Sequence, residues 1–114
     1  MKVIRAESIE SKPVDAEGAK GVRIRVLIGP ADGAPNFVMR RFDVAAGGHT
    51  PLHQHAWEHE VYVLSGAGVL AAPGSITSLA AGTAAYVPAG EMHQFRADDA
   101  EALAFLCLVP KGSK

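Results

Sequence analysis

The sequence predicts an all-β domain, a sandwich or barrel of short strands. Three observations carry that prediction. First, 12 glycines and 7 prolines interrupt 114 residues at short intervals, leaving segments too short for ordinary helices. Second, several of those segments alternate apolar and polar residues with period two. Third, they recur at near-regular spacing with turn signals between them. The length is that of one domain.

Residues 1–21 are polar and weakly patterned and read as an N-terminal arm, with one candidate strand at Val3–Arg5. The first clear strand is Val22–Ile28, where Val22, Ile24, Val26 and Ile28 are apolar and Arg23 and Arg25 are not. Such alternation marks a half-buried strand. Further strands are expected at Asn36–Val44, Glu60–Leu64, Val69–Ala71, Ile76–Leu79, Ala84–Val87, His93–Arg96 and Ala102–Val109. The last is apolar at both parities, as in a strand covered on both sides. Turns are expected at Gly29-Pro30, Asp32-Gly33, Gly47-Gly48, Gly66, Gly68, Pro73-Gly74, Gly82 and Gly90. Residues 22–111 thus form a single barrel domain, and 112–114 a frayed tail.

Composition excludes several classes of function. Lys plus Arg is 11 and Asp plus Glu 12, a net charge of -1, which offers no electrostatic footprint for nucleic acid or an anionic membrane. The longest apolar run, Ala102–Val109, is far below the ~18 residues of a spanning helix. The start, Met1-Lys2-Val3-Ile4-Arg5, turns charged too soon for a secretory leader. Cys107 is the sole cysteine, so no internal disulfide forms and the expected compartment is the reducing cytoplasm.

The histidines carry the chemistry. Four of the 5 fall between positions 49 and 59: His49, His53, His55 and His59, with His93 apart. In an extended strand His53 and His55 point the same way with Cα atoms ~7 Å apart. Two imidazoles so placed can share one divalent ion at ~2.0–2.1 Å from each nitrogen. His59 has the same parity, but an extended chain carries its Cα ~13 Å past that of His55. If His59 is a ligand, Ala56-Trp57-Glu58 must bend the chain back. His49 sits in the Gly47–Pro51 turn and reads as a loop residue.

The stretch Gly47-x5-His53-x-His55-x3-His59-x6-Gly66 resembles the first motif of the cupins, and Gly82-x5-Pro88-x-Gly90-x2-His93 resembles the second. Flanking text such as GVRIRVLIG and HAWEHEVYVLSG is similar to the small single-domain, manganese-containing cupins with a four-histidine site. The resemblance implies a jelly-roll β-barrel (a double-stranded β-helix) with a metal inside one mouth. The ligands it implies are His53, His55, His59 and His93. It also implies a homodimer, in which N-terminal strands including Val22–Ile28 pair with a second subunit and close an open edge. Two departures stand out. The third ligand is usually Glu, and both His59 and Glu60 compete for it. His59 keeps both spacings and the parity of the pair, and is preferred. The terminal Asn of the second motif is replaced by Ala97.

Replacing the carboxylate matters. Four neutral imidazoles leave a divalent ion at its full charge, so an anionic or chelating oxygen ligand should bind well. An octahedral ion with four protein ligands keeps two adjacent positions for water, dioxygen or a bidentate substrate. All-nitrogen ligation favours Ni, Cu, Zn or Fe on intrinsic affinity, whereas the resemblance implies Mn or Fe. Arg40 interrupts the apolar even face of Asn36–Val44 and is a candidate anion anchor if that face lines the barrel. Phe105 and Cys107 share a face of the last strand and are candidates to border the metal. Trp57 is expected at the barrel mouth or a subunit contact, and Glu58 and Glu60 at the surface or behind the metal ligands. The expected function is a metalloenzyme of dioxygenase type acting on a small anionic or chelating substrate. A metal-dependent binding or sensing module and a redox-neutral isomerase or decarboxylase are the alternatives.

Overall fold

Eight antiparallel strands make up the computed structural model, which describes residues 1–113; Lys114, in the tail expected to fray, lies outside the described residues. They are β1 (Lys12–Pro13), β2 (Lys20–Ile28), β3 (Phe37–His49), β4 (His59–Ala72), β5 (Ser75–Ala80), β6 (Ala84–Val87), β7 (Gln94–Ala97) and β8 (Leu103–Pro110). Short 3-10 turns occupy Ala6–Ser8 and Pro30–Asp32. β3 pairs with β8, β8 with β4, β4 with β7, and β7 returns to β3. That ring closes the barrel, as the alternating segments predict.

The two longest strands each serve both halves of the barrel. Residues 59–66 of β4 pair with β6 and β8, and residues 67–72 pair with β5 and β7. The pairing shifts register between Val63 and Ser65. Gly66 follows at φ +88°, and a Cβ there would collide with the Ala102 carbonyl. Gly66 and Gly68 therefore mark a bend inside one strand, where the sequence predicts two strands and turns. A bulge plus glycine lets a strand change sheets without ending. β3 likewise continues through the expected Gly47-Gly48 turn to His49.

β2 follows its predicted alternation only in part. Val22 is buried and Ile24 half-buried, but Val26 is exposed and Leu27 buried. A register shift between Val26 and Ile28 inserts the extra residue that swaps the faces. Val3–Arg5 forms no strand; the arm instead pairs at β1, Lys12 opposite Ile24 and Pro13 opposite Arg23. Part of the β2 edge is thus covered by the chain's own arm. In β8, Leu103, Phe105, Cys107 and Val109 are buried in the barrel, whereas Leu106 and Leu108 on the other face are only half-buried. One core cluster, including Val44, Val63, Phe95, Leu103, Phe105 and Cys107, fills the interior. Among the described residues no helix is long and apolar enough to cross a membrane.

Candidate metal centre

The site starts from Thr50. Its hydroxyl accepts from the Phe95 N–H at 2.9 Å, and its own N–H donates to the Phe95 carbonyl at 2.9 Å. This fastens the chain leaving β3 to β7. Three residues on, His53 and His93 exchange both backbone hydrogen bonds as an isolated bridge. The His55 carbonyl accepts from Gly90 N–H at 2.8 Å. The chain then bends at Ala56–Trp57, with the Trp57 ring stacked on His55 at 4.4 Å, and returns as β4 with His59 opposite Val87. The bend that brings His59 back beside His55 thus lies within the expected Ala56–Glu58 stretch, at its first two residues.

Four imidazoles converge. Ring centroids lie 4.8 Å apart for His53 and His55, 5.0 Å for His53 and His93, 4.3 Å for His55 and His59, and 5.1 Å for His59 and His93. The ligand atoms of His53, His55 and His93 all lie within 4.8 Å of one another. His59 Nε2 is 2.8 Å from His55 Nε2. Adjacent nitrogens on an octahedral ion at ~2.1 Å would be about 3.0 Å apart, and opposite ones about 4.2 Å.

The outward nitrogens explain the orientation. Nδ1–H of His53, His55 and His93 donates to the carbonyls of Pro51 (2.7 Å), Trp57 (3.3 Å) and Glu91 (2.8 Å). His59 Nδ1 meets Cys107 Sγ at 3.0 Å. Fixing Nδ1 outward leaves Nε2 of His53, His59 and His93 as the inward lone pair, the tautomer a cation needs, while His55 Nδ1 lies 3.3 Å from both the Trp57 carbonyl and His59 Nε2. Backbone carbonyls orient three of the rings and the Cys107 sulfur the fourth; neither Glu58 nor Glu60 takes part. Burial pushes the His59 pKa down from 6.5 to about 3, and burial is also the leading cause that lowers His55 and His93. These rings stay neutral and able to ligate. The donor set fits a divalent ion.

A cavity of about 280 Å³ opens over the four rings. Phe42, Phe95, Phe105 and Trp57 give it aromatic walls, and Val14 and Ala16 of the arm also line it. Among the described residues no carboxylate lines it. Its fixed positive charge is Arg40, opposite Cys107 in the β3–β8 pairing. Arg40 Nη2 donates to Cys107 Sγ at 3.1 Å, and its guanidinium sits 5.0 Å from the Phe42 ring centroid. Arg40 Nε is buried without a partner among the described residues.

Glu60 is exposed and alternates to the outer face, while His59 is buried on the inner one. A wider groove of about 410 Å³ on that outer face passes Phe37, Glu58, Glu60 and Leu108 and holds no histidine. His49 lies at the end of β3 rather than in a turn, against Gln94 and the Thr50 carbonyl, outside the cavity. Trp57 lines the cavity. Val14, Ala16 and Phe95 have no role in the sequence reading. Phe95 has the parity of His93, which was signal enough; Val14 and Ala16 lie in an arm too polar to betray an inward face.

The family description "Cupin domain" matches residues 40–109, and the chain belongs to this family. It is 38% identical over 71 residues to 1-methylthio-D-xylulose 5-phosphate methylsulfurylase from Rhodospirillum rubrum, covering 62% of this chain and 46% of that protein. The chain thus matches less than half the length of that curated relative. Among solved structures, the polyketide cyclase RemF from Streptomyces resistomycificus superposes with a TM-score of 0.92 at 38% identity, over 96% of this chain and 79% of that one. The cupin-2 domain protein Rru_A2000 from Rhodospirillum rubrum gives 0.86 at 29%, over 99% and 76%.

Proposed function

We propose that this cupin is a metal-dependent enzyme whose substrate is a small organic anion that chelates through oxygen. The observation that carries this is one of charge and shape. The clustered nitrogens of His53, His55 and His93, with His59 Nε2 beside His55, and one guanidinium line an aromatic cavity with no carboxylate among its described lining residues. A divalent ion held by His53, His55, His59 and His93 supplies Lewis acidity, and redox chemistry where it is manganese, iron or copper. Manganese or iron is the proposed metal, with nickel, copper or zinc as the competitors that nitrogen ligation favours.

The chain's own residues divide the remaining work. Arg40, the fixed positive charge of the cavity lining, binds the anionic end of the substrate. Phe42, Phe95 and Phe105 pack against its apolar body and exclude water. Cys107 holds Arg40. The likeness to a polyketide cyclase over most of the chain favours redox-neutral chemistry on an enolisable carbonyl compound over the dioxygenase reading. The enzyme is placed in the cytoplasm, where its single thiol stays reduced. A homodimer is part of the same proposal, using the part of β2 beyond β1 and the exposed Phe37.

The test is a panel of diketones, enols and catechols offered to metal-loaded protein, with oxygen consumption followed in parallel. Turnover that needs His93 and consumes no oxygen supports the proposal. Turnover with oxygen uptake selects the dioxygenase reading. Binding of panel members without turnover selects the sensing module. Equal turnover by metal-free protein overturns all three.

A further inference from the structure

We infer that Cys107 is a positioning residue that ties the metal centre to the anion anchor, one sulfur holding both His59 and Arg40. The inference rests on the four-histidine reading above. β8 lies between β3 and β4, with Cys107 directly opposite Arg40 on one side and Val61 on the other. His59 is two residues from Val61 on the same face of β4 and is buried like it. The Cys107 side chain, 1% exposed, therefore reaches both neighbours: Arg40 Nη2 at 3.1 Å and His59 Nδ1 at 3.0 Å.

The arrangement sets His59 apart. The other three histidines are oriented by backbone carbonyls, which no side-chain substitution removes. His59 is oriented by a side chain, and that side chain is shared with Arg40. With Nε2 facing the ion, Nδ1–H donates to Sγ, while the Arg40 N–H donates to the same atom. Removing the acceptor frees the His59 ring to rotate and frees the guanidinium to leave the anion's place. Metal affinity and anion affinity then fall together. Groups that orient metal-bound histidines typically contribute about 10- to 100-fold in metal affinity.

The test uses the whole chain with cobalt(II) as the metal and oxalate as the chelating anion, both read from the visible absorption of bound cobalt. Thermal unfolding first establishes that Cys107→Ser and Cys107→Ala are folded. The expected result is that Cys107→Ala loses about 10- to 100-fold in cobalt affinity and also binds oxalate more weakly. Cys107→Ser retains most of both, because a hydroxyl also accepts the two N–H groups. For oxalate, Arg40→Met and Cys107→Ala combine less than additively, as residues sharing one contact do. The inference is overturned if Cys107→Ala keeps the wild-type affinities, or if Cys107→Ser is no better than Cys107→Ala; a packing role alone gives these results. If wild-type protein itself binds no cobalt, the four-histidine reading has failed, and this inference with it.

Discussion

His53 and His93 sit directly opposite each other across one antiparallel bridge, their backbones joined by hydrogen bonds of 3.1 and 2.9 Å and their rings 5.0 Å apart. Two stretches of chain 40 residues apart are thus registered by the main chain before any side chain acts. The paired rings need no metal to find each other. A preformed site of this kind binds without paying the ordering entropy of its ligands.

Because the bridge is made by backbone, His53→Ala or His93→Ala should leave the barrel folded and abolish stoichiometric metal. Metal content beside circular dichroism checks this. Full metal content in both variants would show that the ion, if any, is held elsewhere.

His59 and Glu60 give opposite expectations. His59→Ala should lower metal affinity sharply, since it removes the nitrogen 2.8 Å from His55 Nε2. Glu60→Gln should leave the affinity at wild-type level, because Glu60 is exposed on the outer face. Isothermal titration with zinc or cobalt distinguishes them, and metal loss confined to the Glu60 variant reverses the assignment.

Acid should weaken the metal-free protein. Burial holds the His59 pKa at about 3 against 6.5, so between those values the unfolded chain binds a proton that the folded chain does not. Stability then rises with pH across the window: it is full above about pH 6.5 and is lost as pH falls toward 3. His55 and His93, lowered first by burial, add the same sign. Urea midpoints measured in neutral and acidic buffer should fall on acidification, and His59→Leu should flatten the slope. A slope untouched by that substitution would assign the acid sensitivity to other groups.

Arg40→Met should retain metal but bind oxalate about 10- to 100-fold more weakly, the worth of a hydrogen bond to a charged group. Titrating oxalate into metal-loaded variant and wild type gives the ratio. Unchanged oxalate affinity would remove Arg40 from the binding role.

Gly66→Ala should destabilise the fold by about 3 kcal/mol, combining a left-handed backbone with an overpacked contact. The position has φ +88° and faces the Ala102 carbonyl. Denaturant unfolding measures the loss, and a neutral effect would mean the β4 bend adapts.

Much of this was visible in the sequence because parity in strands is local. Val22 and Ile24 in β2 follow from period-two alternation, which also groups Arg40 with Phe42 in β3 and Phe105 with Cys107 in β8 but leaves open which face turns inward. The opposition of His59 and Glu60 follows from it too. What alternation cannot show is where an extra residue resets it. The β2 bulge turned Val26 outward and Leu27 inward, and glycines at 47, 48, 66 and 68 proved to be bends within strands. Both are decided by which strand lies across, a long-range fact. The same holds for the Arg40–Cys107–His59 contact, which joins three strands distant in sequence. The arm misled for another reason: Val14 and Ala16 are small apolar residues in polar text, and they line the cavity only because Lys12–Pro13 pairs with β2.

The most direct test of the metal centre is an anomalous diffraction map of metal-loaded crystals, with elemental analysis of the same sample. The account predicts one ion per chain within ~2.0–2.2 Å of Nε2 of His53, His55, His59 and His93. Metal-replete protein whose four rings surround only solvent, or an ion bound away from them, would contradict it.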